Sequence, residues 1–418
     1  MRTGSKWSLA LAIVVIVGIV VAVSAAHAQE GIVTIGGTGR HCGEDPGCIN
    51  RLHPDIPMAA RARPGQVLLF KARNASDFNL DPSSSYVDPR AGDPQIGTVH
   101  PLAGPVHIDG AAPGDVVAVT LLDIDPGPFA YTSVSPAGFV SDHVSGSLRV
   151  LWKLDDAAAV TDDIPGVRVP NASFPGIITV LPGRQQLDAM LERERELLAA
   201  GGAGFGPHPL HASPAEVCGP EGTHKDECLR TLPPREHGGN MDIRYLRVGV
   251  TVYLPCYVEG CGLAIGDPHF AQGDGEVSGT AIEMDADFTV TTRLIKDGPA
   301  LDRGPHYEGP AHVLDIPSRR FYATTGFPLK NEGDVPRDME YLQSEKIAGL
   351  RNLSKDVSLA ARNALLEMID YMSETYGLTA EQAYVLASVA VDLRIGQLVD
   401  APNVGVTAIL PLDIFVDR

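Results

Sequence analysis

Apolar positions along this chain follow three patterns, and each predicts a different element. The first is a β-branched run entered from a Pro-Gly turn. Pro64-Gly65 opens Gln66 to Phe70, and Pro113-Gly114 opens Asp115 to Val119. Proline presets the first turn position, and glycine accepts the positive φ of the second. Leu246 to Leu254 reads as a third, weaker copy. Strands entered from tight turns at this density predict a sandwich or barrel.

The second pattern is helical. Gln185 to Ala200 is charged and amphipathic, with Leu187, Met190, Leu191 and Leu197 on its apolar positions. Leu365, Ile369, Met372 and Tyr376 keep i, i+4, i+7, i+11 spacing and predict a helix over 357–376. Gly377 is a natural stop, and Thr379-Ala380-Glu381-Gln382 has capping-box form, opening a second helix over 380–391. A closing strand, Val404 to Leu410, precedes Pro411 to Phe415. The expected class is mainly β with α (α+β), a β-sandwich or barrel-like composite with C-terminal helices. Its expected divisions are a β-rich part over 29–183, a helical and Gly/Pro/His-rich connector over 184–236, and a second β-rich part with both helices over 237–418.

The third pattern is a nearly unbroken apolar run, Leu9 to Val23. Arg2 and Lys6 precede it and the small-x-small site Ala26-His27-Ala28 follows. This is the form of a cleaved signal peptide over 1–28. A membrane anchor is the rival, but the run is short for a span of about 20 residues. Export to the periplasm or medium is expected, with no stable membrane insertion after cleavage.

Charge narrows the partners. The whole chain carries 33 basic and 52 acidic residues, and loss of Arg2 and Lys6 leaves 31 against 52, or −21. Nucleic acid requires a basic face, so it is excluded as a partner. Six cysteines form three close pairs, Cys42 with Cys48, Cys218 with Cys228 and Cys256 with Cys261. In an exported chain these are expected to be local disulfides. None has C-x2-C spacing, which argues against a cysteine zinc site. GxGxxG, Walker A and GxSxG patterns are all missing.

Chemistry concentrates in Gly266 to Glu276. Its eleven residues hold Asp267, His269, Asp274, Glu276 and three glycines. The run is expected to be a loop between strands at Tyr253–Leu254 and Thr280–Ile282. Glycine lets backbone approach a ligand, and Asp, His and Glu hold metals or move protons. The bland alternative is an acidic turn binding water, or a calcium staple without EF-hand spacing. Pro234 to Asp242 again sets His237, Asn240 and Asp242 around paired glycines. His100, in an X-Pro loop, is a third candidate, and His53 has the same context with weaker claims.

Several runs resemble the acetamidase/formamidase family. They are His100-Pro101-Leu102-x-Gly104-Pro105, Gly238 to Ile243, Leu254-Pro255 with Val258 to Gly260, Gly266 to Glu276, and Thr280 to Glu283. Thr324 to Gly326, Ser388 to Ile395 and Leu410 to Phe415 continue the series in family order. The segment ending Pro233 to Glu236 is similar to the longer formamidase-like branch, here in an exported member. The resemblance implies hydrolysis of a small-molecule amide such as formamide or acetamide, in a β-rich homo-oligomer. It also implies that the loops carrying Asp267, His269 and Glu276, and Asn240 and Asp242, line the site.

Amide hydrolysis needs a nucleophile, oxyanion stabilisation and a proton for the departing nitrogen. The expected arrangement has a divalent metal, zinc first, held by His269 and Asp267 with Asp242 or His100 completing the set. Glu276 is then general base and later acid. The metal-free alternative has Glu276 activating water beside an oxyanion hole of Asn240 and the Gly273 to Gly275 amides. A non-catalytic periplasmic binding protein is the competing class, and a purely structural oligomer the third.

Overall fold

The computed structural model describes residues 31–416, apart from 87, 89, 91, 135–137, 203, 302, 335–348 and 399–403. The expected export segment, 1–28, lies outside the described residues. Among them no helix is long and apolar enough to cross a membrane.

One sheet of 15 strands organises the described residues. Its members include β1 (Val67–Ala72), β2 (Leu102–Ile108), β3 (Val116–Val134), β4 (Leu148–Leu154) and β5 (Phe174–Thr179). After the connector come β6 (Gly238–Asn240), β7 (Thr251–Pro255), β8 (Cys261–His269) and β9 (Glu283–Ile295). The central path runs β4-β3-β9-β8-β5-β6; β1 adds to β9, β2 to β8 and β7 to β3. Strands from both sides of the 184–236 connector therefore share one sheet. The Pro-Gly turns open β1 and β3 as the turn chemistry requires, with Gly65 and Gly114 at φ 88° and 94°. In the weaker third copy the strand begins only at Thr251.

A second, three-stranded antiparallel sheet sets β12 (Gly405–Pro411) between β10 (Phe321–Gly326) and β11 (Asp392–Gln397). The helices α1 (Arg184–Ala199), α2 (Val357–Tyr376) and α3 (Ala380–Ala390) fall where the periodicity placed them. Both halves of the Thr379/Gln382 capping box form, and Gly377 ends α2 at φ 67°. Leu197 departs from expectation. It lies in the last turn of α1, beyond the packed face of Leu187, Met190 and Leu191, and is 38% exposed.

All nine residues of β8 and all six of β5 are buried, because both sheet faces are covered there. Ile178 and Ile265 join the main core, which also contains Phe70, Phe288, Met372 and Tyr384. Ile177 and Ala264 face the opposite way, into a second core formed by Leu187, Met190 and the Cys218–Cys228 region. The period-two alternation of a strand thus binds the C-terminal helices to one face and the connector to the other.

Two strand boundaries correct the sequence reading. Gly266 to Glu276 is not wholly a loop: β8 continues through His269, held by β5 at Phe174 and by β2 at Leu102. Thr280–Ile282 is not a strand either, since β9 starts at Glu283, opposite His269. All three disulfides join the expected neighbours, with Cα–Cα distances of 5.2, 5.7 and 4.6 Å in chain order.

Candidate active site

Strand pairing gathers the acidic residues. On β8, Asp267 and His269 are two apart and share a face. Pairing puts Glu283 opposite His269, while β5 lies along the other edge of β8. Asp242 follows β6, and its backbone N–H donates to the Gly176 carbonyl in the middle of β5. Glu276 sits in the turn after β8, its N–H donating to Gly273 O at 3.2 Å. Gly273 permits that turn: a Cβ there would lie 2.1 Å from the Val391 carbonyl at the end of α3.

Three carboxylates share a second feature. Asp242, Asp267 and Glu276 have φ of 48°, 54° and 44°. Non-glycine residues rarely hold this left-handed region, and such strain persists where surrounding structure fixes it, often at functional sites. Gly176 neighbours two of them, together with His269. A Cβ at that position would stand 2.7 Å from Asp242 Oδ1 and from Asp267 Oδ2, and 2.8 Å from His269 Cε1.

At the centre is the His269 ring, fully buried and meeting Phe174 edge-on at 5.1 Å. Gln272 Nε2 donates to the Asp242 carbonyl at 2.7 Å, which orients its amide. Its Oε1 then faces His269 Nδ1 at 3.0 Å and accepts that proton. His269 Nε2 then points between Asp267 Oδ1, at 3.4 Å, and Glu283 Oε2, at 3.2 Å. None of these three atoms has a hydrogen-bond partner among the described residues, and Asp242 Oδ1 and His100 Nδ1 are also unpartnered. Two carboxylate oxygens aimed at one buried ring nitrogen call for a cation there, a proton on Nε2 or a metal ion in its place.

Electrostatics divides the carboxylates. Burial pushes Asp267 up, but the imidazoles of His100 and His269 outweigh it and hold Asp267 at about 2. Burial pushes Asp242 up to about 7 against the attraction of His269, with Asp267 and Glu283 adding to the rise. Glu276 stands well above the usual range through burial and then the facing charge of Asp242. Glu283 is also raised, chiefly by burial. His269 is raised well above the usual imidazole value because Glu283 and Asp267 overcome its burial. Burial lowers His100, against the attraction of Asp267.

At this site two sets of three have ligand atoms within 4.8 Å of one another: Asp242, His269 and Glu276, and Asp267, His269 and Glu283. The structure therefore brings four of the expected residues together, Asp242, Asp267, His269 and Glu276. His100 lies at the rim, its Nε2 4.0 Å from Asp267 Oδ2, and belongs to neither set. Asn240 is on β6 opposite Ile177, its Oδ1 unpartnered. Asp274 turns away and accepts from Tyr245 Oη at 3.0 Å.

Hydrogen bonding corrects part of one expectation. The Gly273 and Asp274 amides, expected in an oxyanion hole, are committed elsewhere. Gly273 N–H donates to Ser388 O at 2.8 Å, and Asp274 N–H points to Asp392 Oδ1 at 3.4 Å.

Sequence reasoning passed over Glu283, Gln272 and Gly176 as site residues. Glu283 carried the best signal, a carboxylate closing the Thr280 to Glu283 run at the mouth of an apolar strand.

Residues 38–417 match the Acetamidase/Formamidase family. The chain belongs to this family. It is 31% identical to a formamidase of Methylophilus methylotrophus over 88% of this chain and 89% of that protein. It is 32% identical to an acetamidase of Mycolicibacterium smegmatis, over 81% and 84%. A solved gamma lactamase from Delftia acidovorans superposes with a TM-score of 0.80 at 31% identity, covering 93% of this chain and 94% of that one. Acetamidase/formamidase membership carries the enzyme class expected from the sequence, an amidase.

Proposed function

We propose that this chain hydrolyses a short linear amide, of the formamide or acetamide type, to a carboxylate and ammonia. The observation that carries the reading is the convergence of His269 Nε2, Asp267 Oδ1 and Glu283 Oε2, all buried and unpartnered, beside the two raised carboxyls Asp242 and Glu276. The formamidase and acetamidase relatives support the substrate class.

The donor set fits a divalent cation. Four carboxylates face one imidazole, and the Gln272 contact on Nδ1 turns His269 Nε2 toward Asp267 and Glu283. We assign His269, Asp267 and Glu283 as the residues that would hold the ion, with Asp242 and His100 adjoining. One imidazole and carboxylate oxygens suit zinc. What such an ion supplies is Lewis acidity, for an amide carbonyl and for water.

The remaining work falls to Glu276 and Asp242. A carboxylate with a raised pKa is a stronger base than a free one. Glu276 takes a proton from the attacking water, and the carbonyl carbon gains the hydroxyl. As the C–N bond breaks, the same carboxyl returns the proton to the departing nitrogen. Asp242 sets the proton affinity of Glu276 through its neighbouring charge. Asn240, on β6 with its Oδ1 unpartnered, is assigned to orient the amide.

A second reading replaces the linear amide by a cyclic one, favoured by the likeness to the gamma lactamase. Ring opening then gives an amino acid and no ammonia.

We further propose that the protein works outside the cytoplasm as a homo-oligomer. The 1–28 segment and three disulfides support export. Exposed Phe321, Tyr322 and Ile395 on the three-stranded sheet support a covering copy.

The test offers formamide, acetamide, propionamide and a γ-lactam to the mature chain, before and after chelation. Ammonia from linear amides supports the first reading, and lactam opening alone moves the chain to the second. Turnover of none would overturn both. Activity lost on chelation and restored by zinc supports the ion.

A further inference from the structure

The run Ser388 to Ile395 has no part in the chemistry above, yet its first residue grips the turn that carries Glu276. Helix α3 ends at Ala390, so its last carbonyls have no partner within the helix. The Ser388 carbonyl finds one in the turn, where the Gly273 N–H donates to it at 2.8 Å. The Ser388 hydroxyl adds two bonds from the same point. It donates to the Thr280 carbonyl at 2.7 Å and accepts from the Ser278 N–H at 3.1 Å. One residue therefore holds the chain at 273, 278 and 280, on both sides of Glu276.

Tyr384 lies four residues earlier, on the same helical face. Its hydroxyl donates to the Val277 carbonyl and accepts from the Val140 N–H at 2.9 Å. Ser388 and Tyr384 are both fully buried, so water does not compete for these bonds. The backbone of Glu276 bonds only inside the turn, its N–H to Gly273 O and its carbonyl from the Gly279 N–H at 2.8 Å. Its φ of 44° is a conformation that a non-glycine residue keeps only where neighbours impose it. Helix α3 supplies those neighbours. By contrast, His269 and Glu283 are set by the pairing of β8 with β9.

We propose that Ser388 is a positioning residue for Glu276: together with Tyr384 it holds the turn so that the Glu276 carboxyl meets the attacking water. This role rests on the amide hydrolysis proposed above. It gives α3 a part in the rate and leaves the His269, Asp267 and Glu283 cluster to the sheet.

The experiment measures kcat and KM for the amide, linear or cyclic, that the mature disulfide-bonded protein hydrolyses. Ser388→Ala, Glu276→Gln and the double variant are compared. A misplacement of about 1 Å costs roughly 100-fold in rate, so Ser388→Ala is expected to lower kcat by about 10–100-fold with KM little changed. In the Glu276→Gln background the same substitution is expected to cost under about 2-fold, because both changes remove one function. Backbone amide exchange over 273–280, read by mass spectrometry, is expected to quicken in Ser388→Ala. Tyr384→Phe keeps the ring, loses the bond to Val277 and is expected to repeat the pattern; it decides should Ser388→Ala not fold. Equal losses in the two backgrounds would overturn the proposal, since a purely structural role is blind to Glu276. Undiminished kcat or unchanged exchange in Ser388→Ala would overturn it as well. Turnover of no amide by the unsubstituted protein would overturn the amidase reading, and this role with it.

Discussion

Oε1 of Gln272 lies 3.0 Å from Nδ1 of His269, and this contact sets the tautomer of the imidazole at the centre of the site. The amide is itself held by the Asp242 carbonyl, so it cannot flip without losing a 2.7 Å hydrogen bond. Gln272→Leu removes both contacts and frees the ring. Such supporting partners are worth about 10–100-fold in metal affinity or activity. That loss is expected in kcat, with a parallel loss in zinc affinity by calorimetry. A kcat unchanged in Gln272→Leu would show that the ring is oriented by other means.

Glu276 is the proton carrier of the proposed mechanism. Glu276→Gln keeps the shape and removes the base. General acid–base catalysis contributes about 10²–10⁴-fold, so kcat should fall by that factor while substrate binding persists. Full activity in this variant would remove Glu276 from the chemistry.

Gly176 has no polar side chain, yet its position makes it sensitive. Gly176→Ala would set a methyl group 2.7 Å from both the Asp242 and Asp267 carboxylates. Something must move, and the side chains nearest are the site itself. Displacement on that scale costs about 100-fold in rate. We expect kcat to drop by roughly this factor, with secondary structure intact by circular dichroism. Wild-type activity would mean that the cluster tolerates the shift.

His237 predicts how stability depends on pH. Its ring is fully buried, and burial pushes its pKa down to about 3. Nδ1 lies 2.8 Å from Thr179 Oγ1, while Nε2 is unpartnered among the described residues. An unfolded histidine titrates near 6.5. Above that pH both states are neutral, and the folded form loses nothing. As pH falls from 6.5 toward 3, the unfolded chain takes up a proton that the folded chain refuses, so stability declines. His237→Gln should therefore lose less melting temperature than the unsubstituted protein between pH 7 and pH 4. Parallel declines would assign the acid limb to other groups.

Local periodicity was enough to place the helices and the strands entered from Pro-Gly turns. The capping box at Thr379, the stop at Gly377 and the strands after Pro64-Gly65 and Pro113-Gly114 all depend on residues within a few positions of one another. Residue type was likewise enough to single out Asp242, Asp267, His269 and Glu276, because few side chains bind metals or move protons. Even the disulfides followed from proximity along the chain. Partnership across the sheet was not readable this way. Glu283 became a site residue because β9 pairs with β8 at His269, and Gly176 because β5 runs beside Asp267. The same pairing extended β8 through Asp267 and His269, which local composition reads as loop. Left-handed backbone at three acids, the tautomer chosen by Gln272 and the split between low and raised carboxyl pKa values depend on neighbours far along the chain. Periodicity reports which way a side chain faces, whereas what it faces is settled only when distant segments pack together and exclude water.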